Sequence, residues 1–278
     1  MCRWVAYSGN AVALRMLLFD TEHSLIDQSL RSRMGVETTN GDGFGIGWYD
    51  GLQPEPAVFR TVAPAWNDRN AIELAGHVRS SLFLAHVRAS TGSAVQWTNT
   101  HPFRHGRWLF VHNGAIAEFP LLHRELSLAI DPALYASVEG STDSEVMFHL
   151  ALTFGLEDEP LPALERMAGF VERVGRSHGV DHPLQMSLGL SDGERLYAVR
   201  YSSERRSRTL FKTRDATEVK AAFPDVARIQ EFGDEDRAIV SEPLGHRIPD
   251  LWQPIGEATA IIVQPGPDEV CAFTPQDP

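Results

Sequence analysis

The strongest constraint in this sequence is a pair of nearly continuous apolar runs, residues 82–89 (LFLAHVRA) and 107–112 (RWLFVH). A strand with one wet face alternates apolar and polar side chains. A run without alternation needs cover on both faces. Two sheets packed face to face, with helices outside, would supply that cover. On the two-residue period of a strand, Leu84, His86 and Arg88 share one face of the first run. Further strands are expected over 5–8, 57–62, 185–190, 195–201, 210–213, 238–241, 259–263 and 269–273.

Helices are expected over 23–33, 119–128 and 160–174. Asn67 or Asp68 can cap another through His77, with Ile72, Leu74, Ala75 and Val78 as its buried stripe. Ser141 or Thr142 can cap a helix that stops near Gly155, with acidic residues in its first turn. Asp192-Gly193 marks a hairpin turn. No stretch rich in Pro, Gly or Ser divides the chain, so residues 2–278 read as one α+β domain.

Composition removes several function classes. Lys plus Arg number 25 and Asp plus Glu 37, a net charge of −12. Non-specific nucleic-acid binding rests on cations neutralising phosphates, so nucleic acid is not an expected partner. No run reaches the ~18 apolar residues of a membrane span, and no secretory signal is evident. The cysteines are Cys2 and Cys271; one bridge between the ends is conceivable, but such low usage fits a reducing cytoplasm better. The basic run at 205–208 reads as a solvated loop.

The chemistry starts at Met1-Cys2-Arg3. Removal of Met1 would leave Cys2 with a thiol and a free α-amine on one residue. The amine has an ordinary pKa of about 7.7–8.0 and the thiol about 8.5. Such an amine can act as base for its own side chain. Taken alone, Cys2 reads as a small structural residue in a first strand. The glycine-rich stretch at 40–50 does not read as a phosphate loop, because strand-like residues follow it rather than a helix. Glycines there indicate close backbone approach or a bulge.

Seven short motifs then line up: MCR at 1–3, NGDGFGIGWY at 40–49, AHVRAST at 85–91, NTHPF at 99–103, HNGAI at 112–116, STDSE at 141–145 and SEPL at 241–244. In kind and order they resemble those of the class II glutamine amidotransferases, which are N-terminal nucleophile hydrolases. The resemblance extends to the stand-alone branch containing ergothioneine-pathway γ-glutamyl hydrolases and the glutathione-degrading amidotransferases of fungi. It implies a four-layer αββα sandwich of two mainly antiparallel sheets. It also implies Cys2 as nucleophile, with the Asn113 side chain and Gly114 N–H as oxyanion donors. Arg88, helped by Thr91, would bind the substrate α-carboxylate, and Asp143 the α-ammonium.

Each of these residues has a plainer reading. Asn-Gly is most often a tight turn, Arg88 could serve an internal salt bridge, and Asp143 could complement a helix dipole. Asn40 and Asp42 are expected near the site without an assigned role. His86, His101 and His112 are expected to serve packing or hydrogen bonding. The mechanism implied needs no metal and no cofactor.

The expected reaction is hydrolysis of the γ-glutamyl amide of glutamine or a related small molecule through a γ-glutamyl thioester. The alternatives are a glutaminase subunit feeding ammonia to a separate synthetase partner, and a non-catalytic binding module. A homodimer is the base-rate expectation for assembly.

Overall fold

In the computed structural model, which describes residues 2–34, 39–90, 92–222, 224, 230, 233–245 and 251–278, the two apolar runs become central strands of facing sheets. The strands are β1 (Arg3–Ala13), β2 (Phe44–Trp48), β3 (Ala57–Thr61), β4 (Arg79–Val87), β5 (Phe103–His105), β6 (Trp108–Ile116), β7 (Leu184–Ser191), β8 (Leu196–Ser202), β9 (Phe211–Thr213), β10 (Arg237–Val240), β11 (Trp252–Pro254), β12 (Thr259–Val263) and β13 (Glu269–Ala272). One sheet runs β11-β9-β10-β1-β4-β2-β3 and the other β13-β12-β8-β7-β6-β5. The pairings are antiparallel.

The helices are α1 (Arg15–Leu18), α2 (Leu25–Leu30), α3 (Arg69–His77), α4 (Phe119–Leu128), α5 (Pro132–Tyr135), α6 (Asp143–Thr153), α7 (Pro160–Ser177) and α8 (Ala216–Ala222). None among the described residues is long and apolar enough to cross a membrane.

Three apolar clusters define the layers. Val5, Tyr7, Phe83, Ala85 and Val87 pack with Leu17, Leu18 and Leu25 of the α1–α2 side. Trp4, Ala6, Leu84, Leu109 and Val111 pack between the sheets. Phe110, Leu188 and Val199 pack against Leu126, Met147 and Met167 of α4, α6 and α7. This is the αββα sandwich, and it explains the unbroken apolar runs: alternate residues of β4 and β6 face a helix layer and the opposing sheet.

Local signals explain most boundaries. Ser24 and Asp27 form a reciprocal capping box at α2, Asp68 caps α3, and Thr142 caps α6 by accepting the Glu145 N–H. Gly155 follows α6 at φ +96°, where a side chain would be strained.

The structure also corrects details. The buried residues of α3 are Ala71 and Ala75, whereas Ile72, Leu74 and Val78 of the expected stripe are only partly covered. β1 extends well past residue 8 through an irregularity between Ser8 and Val12. α8 and β11 fall where the sequence pattern shows only strand or loop. Both Cys2 and Cys271 are free thiols.

Candidate active site

Strand parity decides which side chains meet. Trp4 and Ala6 face the opposing sheet, so Cys2, at the mouth of β1, projects to that same side. Leu84 does so on β4, which carries His86 and Arg88 with it. Leu109 and Val111 do so on β6, which carries Asn113. Residues far apart in sequence therefore converge at one end of the inter-sheet layer.

Asn113 and Gly114 lie inside a strand, paired with Ser187 and Met186 of β7, and not in a tight turn. β5 covers only residues 108–110 of β6. Beyond that point the edge of β6 is open to other partners. The Ile116 N–H donates to Asp143 Oδ2 at 2.9 Å on this edge, and the His112 carbonyl meets His86 Nε2 there at 3.1 Å. By the pleat, the Gly114 N–H points to the same edge, between those two contacts. A side chain at 114 would collide with the Gln185 carbonyl and the His112 ring, so only glycine fits this register.

Asp143 is held from its own helix. Its Oδ1 accepts the Ser144 N–H at 2.8 Å and the Ser144 hydroxyl at 3.3 Å, and His112 Nδ1 lies 2.8 Å from that hydroxyl. With Ser144 donating to Asp143, His112 donates from Nδ1 to Ser144, an assignment that follows from the network. His112 thus braces the carboxylate on α6 while sitting next to Asn113.

Arg88 is 3% exposed at the end of β4. Its guanidinium donates to Ser93 Oγ at 2.7 Å, Ser90 Oγ at 3.3 Å and the Asp42 carbonyl at 3.4 Å. Asp42 fastens the same turn: its N–H donates to the Arg88 carbonyl at 3.0 Å and its Oδ2 accepts the Ser90 N–H at 2.7 Å. Asn40 is fully buried and donates to the Ser29 and Gln28 carbonyls, so it ties this loop to α2. Asp42 and Asn40 are loop anchors. Ser90, Ser93 and Ser144 carry no sequence signal beyond lying inside or beside motifs. Thr91 lies outside the described residues.

The electrostatics agree with the convergence. Cys2 is partly exposed, and desolvation of its thiol still pushes its pKa up. The Cys2 Sγ lies 3.6 Å from the Ala89 carbonyl. The Arg88 charge acts on the thiol in the lowering direction and Asp143 in the raising direction. Burial pushes His86 down to about 3 and also lowers His101 and His112. His86 and His101 stack with ring centroids 4.1 Å apart. These imidazoles are neutral fillers and hydrogen-bonding braces at neutral pH.

The family described as glutamine amidotransferases class-II matches residues 14–257. A glutamine aminotransferase class-II domain protein from Silicibacter pomeroyi is 33% identical, with a TM-score of 0.75, and the alignment covers 99% of this chain and 100% of that one. The probable glutamine amidotransferase DUG3 of Saccharomyces cerevisiae is 32% identical over 228 residues, covering 72% of this chain and 64% of that protein. The gamma-glutamyl-hercynylcysteine sulfoxide hydrolase of Mycobacterium tuberculosis is 37% identical over 120 residues, covering 42% of this chain and 50% of that protein. These matches thus span about half to two thirds of the curated relatives' length. The glutamine PRPP amidotransferase of B. subtilis shares the fold at 15% identity and a TM-score of 0.66, with 50% of its chain covered. With most of its length matched by the family and a solved relative aligned end to end, the chain belongs to the class II glutamine amidotransferases.

Proposed function

We propose that this chain hydrolyses the γ-glutamyl amide of glutamine or of a small γ-glutamyl compound, with Cys2 as the N-terminal nucleophile after loss of Met1. The observation that carries this reading is the convergence at one end of the inter-sheet layer. Cys2 just before β1, Arg88 just after β4 and Asn113-Gly114 on the open edge of β6 lie at that end, with Asp143 bonded to the same edge and the Arg88 and Asp143 charges both acting on the Cys2 thiol.

The Cys2 α-amine takes the thiol proton, and the thiolate attacks the γ-carbonyl carbon. The carbonyl oxygen becomes an oxyanion facing the Asn113 amide and the Gly114 N–H. The C–N bond then breaks, and the proton passes to the leaving nitrogen. A γ-glutamyl thioester remains; water attacks it, glutamate departs and the thiol is restored. Arg88 binds the α-carboxylate with two parallel donors, and Asp143 accepts from the α-ammonium. Thr91, beside Arg88 in sequence, is assigned to the same carboxylate. Asp143 Oδ2 keeps a lone pair beyond the Ile116 N–H that it accepts, whereas Oδ1 already accepts twice from Ser144.

A second reading is a glutaminase that feeds ammonia to a separate synthetase. It is favoured by the amidotransferase named among the relatives, the probable glutamine amidotransferase DUG3.

The test is glutamate release from glutamine, glutathione and several γ-glutamyl amides, with protein whose intact mass shows that Met1 is absent. Fast release from one substrate, abolished in a folded Cys2→Ala variant, is the expected result. Slow release from glutamine alone points to the ammonia-supplying reading. Activity retained in Cys2→Ala, or none on any substrate, would sink the proposal.

A further inference from the structure

Glu242 belongs to the SEPL stretch, which the proposed reaction does not use. It is 2% exposed. Its Oε2 accepts from Arg3 Nε at 2.7 Å and from the Met34 N–H at 3.1 Å. Its Oε1 meets His23 Nε2 at 2.6 Å and the Arg33 N–H at 2.8 Å. Gln28 donates to the Glu242 backbone carbonyl at 3.2 Å, which fixes the carboxylate's own attachment. Arg3 is 1% exposed, and its NH1 donates to the Cys2 carbonyl at 2.8 Å.

The location separates these groups from the substrate side. Val5 and Tyr7 face α1 and α2, so Arg3 lies on that helix-facing side by parity. Val5 pairs with Val240, which sets Glu242 opposite Arg3. The pair therefore sits beneath the sheet, while the Cys2 thiol points into the layer above. A buried ion pair is weak evidence for stability, because apolar residues of the same volume often serve as well. Something else must explain why charge is placed here.

The first residue of a processed chain has no preceding peptide. Apart from the thiol's contact with the Ala89 carbonyl, its amine and side chain are oriented through whatever holds its own carbonyl. The ladder of β1 begins at Arg3, so Cys2 lies outside it. The Arg3 guanidinium grips the Cys2 carbonyl, and Glu242 grips the guanidinium. We propose that Arg3 and Glu242 are positioning residues for the nucleophile, fixing through the Cys2 carbonyl the torsion that aims its amine and thiol at the Asn113–Gly114 edge. This rests on Cys2 being the nucleophile. A misplacement of about 1 Å at a reacting group can lower a rate ~10²-fold.

The test compares Arg3→Met, Glu242→Gln and the double variant, which leaves neither charge buried alone. His23→Gln serves as the control: it replaces the imidazole at Glu242 without reaching Cys2. Two quantities are read in variants with unchanged circular dichroism. One is kcat and KM for glutamate release. The other is the iodoacetamide alkylation rate of Cys2 relative to Cys271, the second free thiol, from peptide masses.

The expected result is a kcat at least ~10-fold lower with KM within about threefold, and an alkylation ratio changed at least about threefold. The double variant should be no worse than the worse single one, and His23→Gln should change neither quantity. Unchanged kcat and ratio in a folded Arg3→Met or double variant would overturn the proposal, as would an equal effect from His23→Gln. If the unaltered protein releases no glutamate, the hydrolase reading falls and the alkylation ratio alone decides the clamp. If the protein is active and neither quantity moves in the variants, hydrolysis stands and the clamp falls.

Discussion

Asn113 and Gly114 are locked inside a strand ladder, whereas Arg88 stands at the end of β4 and is held by short polar side chains. On the first side, β7 fixes the backbone and His86 and Ser144 brace His112, which holds the strand that carries the proposed oxyanion donors. On the second side, Ser90, Ser93 and the Asp42 carbonyl engage three of the five guanidinium N–H donors. A rigid ladder suits donors that act on charge developing during reaction, because preorganised dipoles need no rearrangement at that moment. A side-chain cradle suits a group that is bound from the start and stays bound.

The contrast can be broken by mutation. Asn113→Ala should lower kcat by ~10²–10³-fold, matching about 2.7–4 kcal/mol for one oxyanion donor, with KM nearly unchanged. A rise in KM at constant kcat would instead place Asn113 in ground-state binding. Arg88→Lys should do the reverse, raising KM by ~10–100-fold with a small change in kcat, since one ammonium replaces a bidentate fork. Steady-state kinetics on the preferred substrate would show whether the two substitutions separate in this way.

Acid should reach the histidines beside the ladder before it reaches Glu242 beneath β1. Folded His86 resists protonation to about 3, and burial lowers His101 and His112 as well, while an unfolded His binds a proton near pH 6.5. The unfolded chain therefore binds more protons. The contribution of these residues is full above about pH 6.5 and declines on acidification, by ~1.4 kcal/mol per pH unit for each His kept neutral.

Glu242 behaves differently. Burial alone would raise its pKa, but hydrogen bonds from His23, the Arg33 amide and Arg3 outweigh it and bring it to about 2. Its contribution, at most about 3 kcal/mol, is full above the ordinary carboxylate range and is lost only as pH falls through that range toward 2. Urea unfolding at pH 7, 6 and 5 should already show the histidine slope. A flat profile down to pH 5 would mean that these rings are charged or wetter in the folded state.

Legibility in the sequence followed the range of the interaction involved. The helix starts and the turn at Asp192-Gly193 are local signals: the sequence narrows the caps to Asn67 or Asp68 and to Ser141 or Thr142, and the structure selects Asp68 and Thr142. The stacked-sheet architecture was visible in the unalternating runs of β4 and β6. α8 and β11 were not visible, because a seven-residue helix and a three-residue edge strand carry too few periodic positions. Asn113-Gly114 misleads when read locally: the pair resembles a turn, and only pairing with Ser187 and Met186 keeps it extended.

The sequence by itself determined the layer types, most helix boundaries and, through its ordered motifs, the family. Those properties depend on side-chain period and short-range hydrogen bonds, which survive in one dimension. Only the tertiary structure decided that Cys2, Arg88 and Asn113 share one inter-sheet end, that Ser144 and His112 brace Asp143, and that Glu242 reaches back to Arg3. Arg3 and Glu242 are 239 positions apart, and their contact exists because β10 pairs with β1. No local pattern encodes that distance; the register of two strands does.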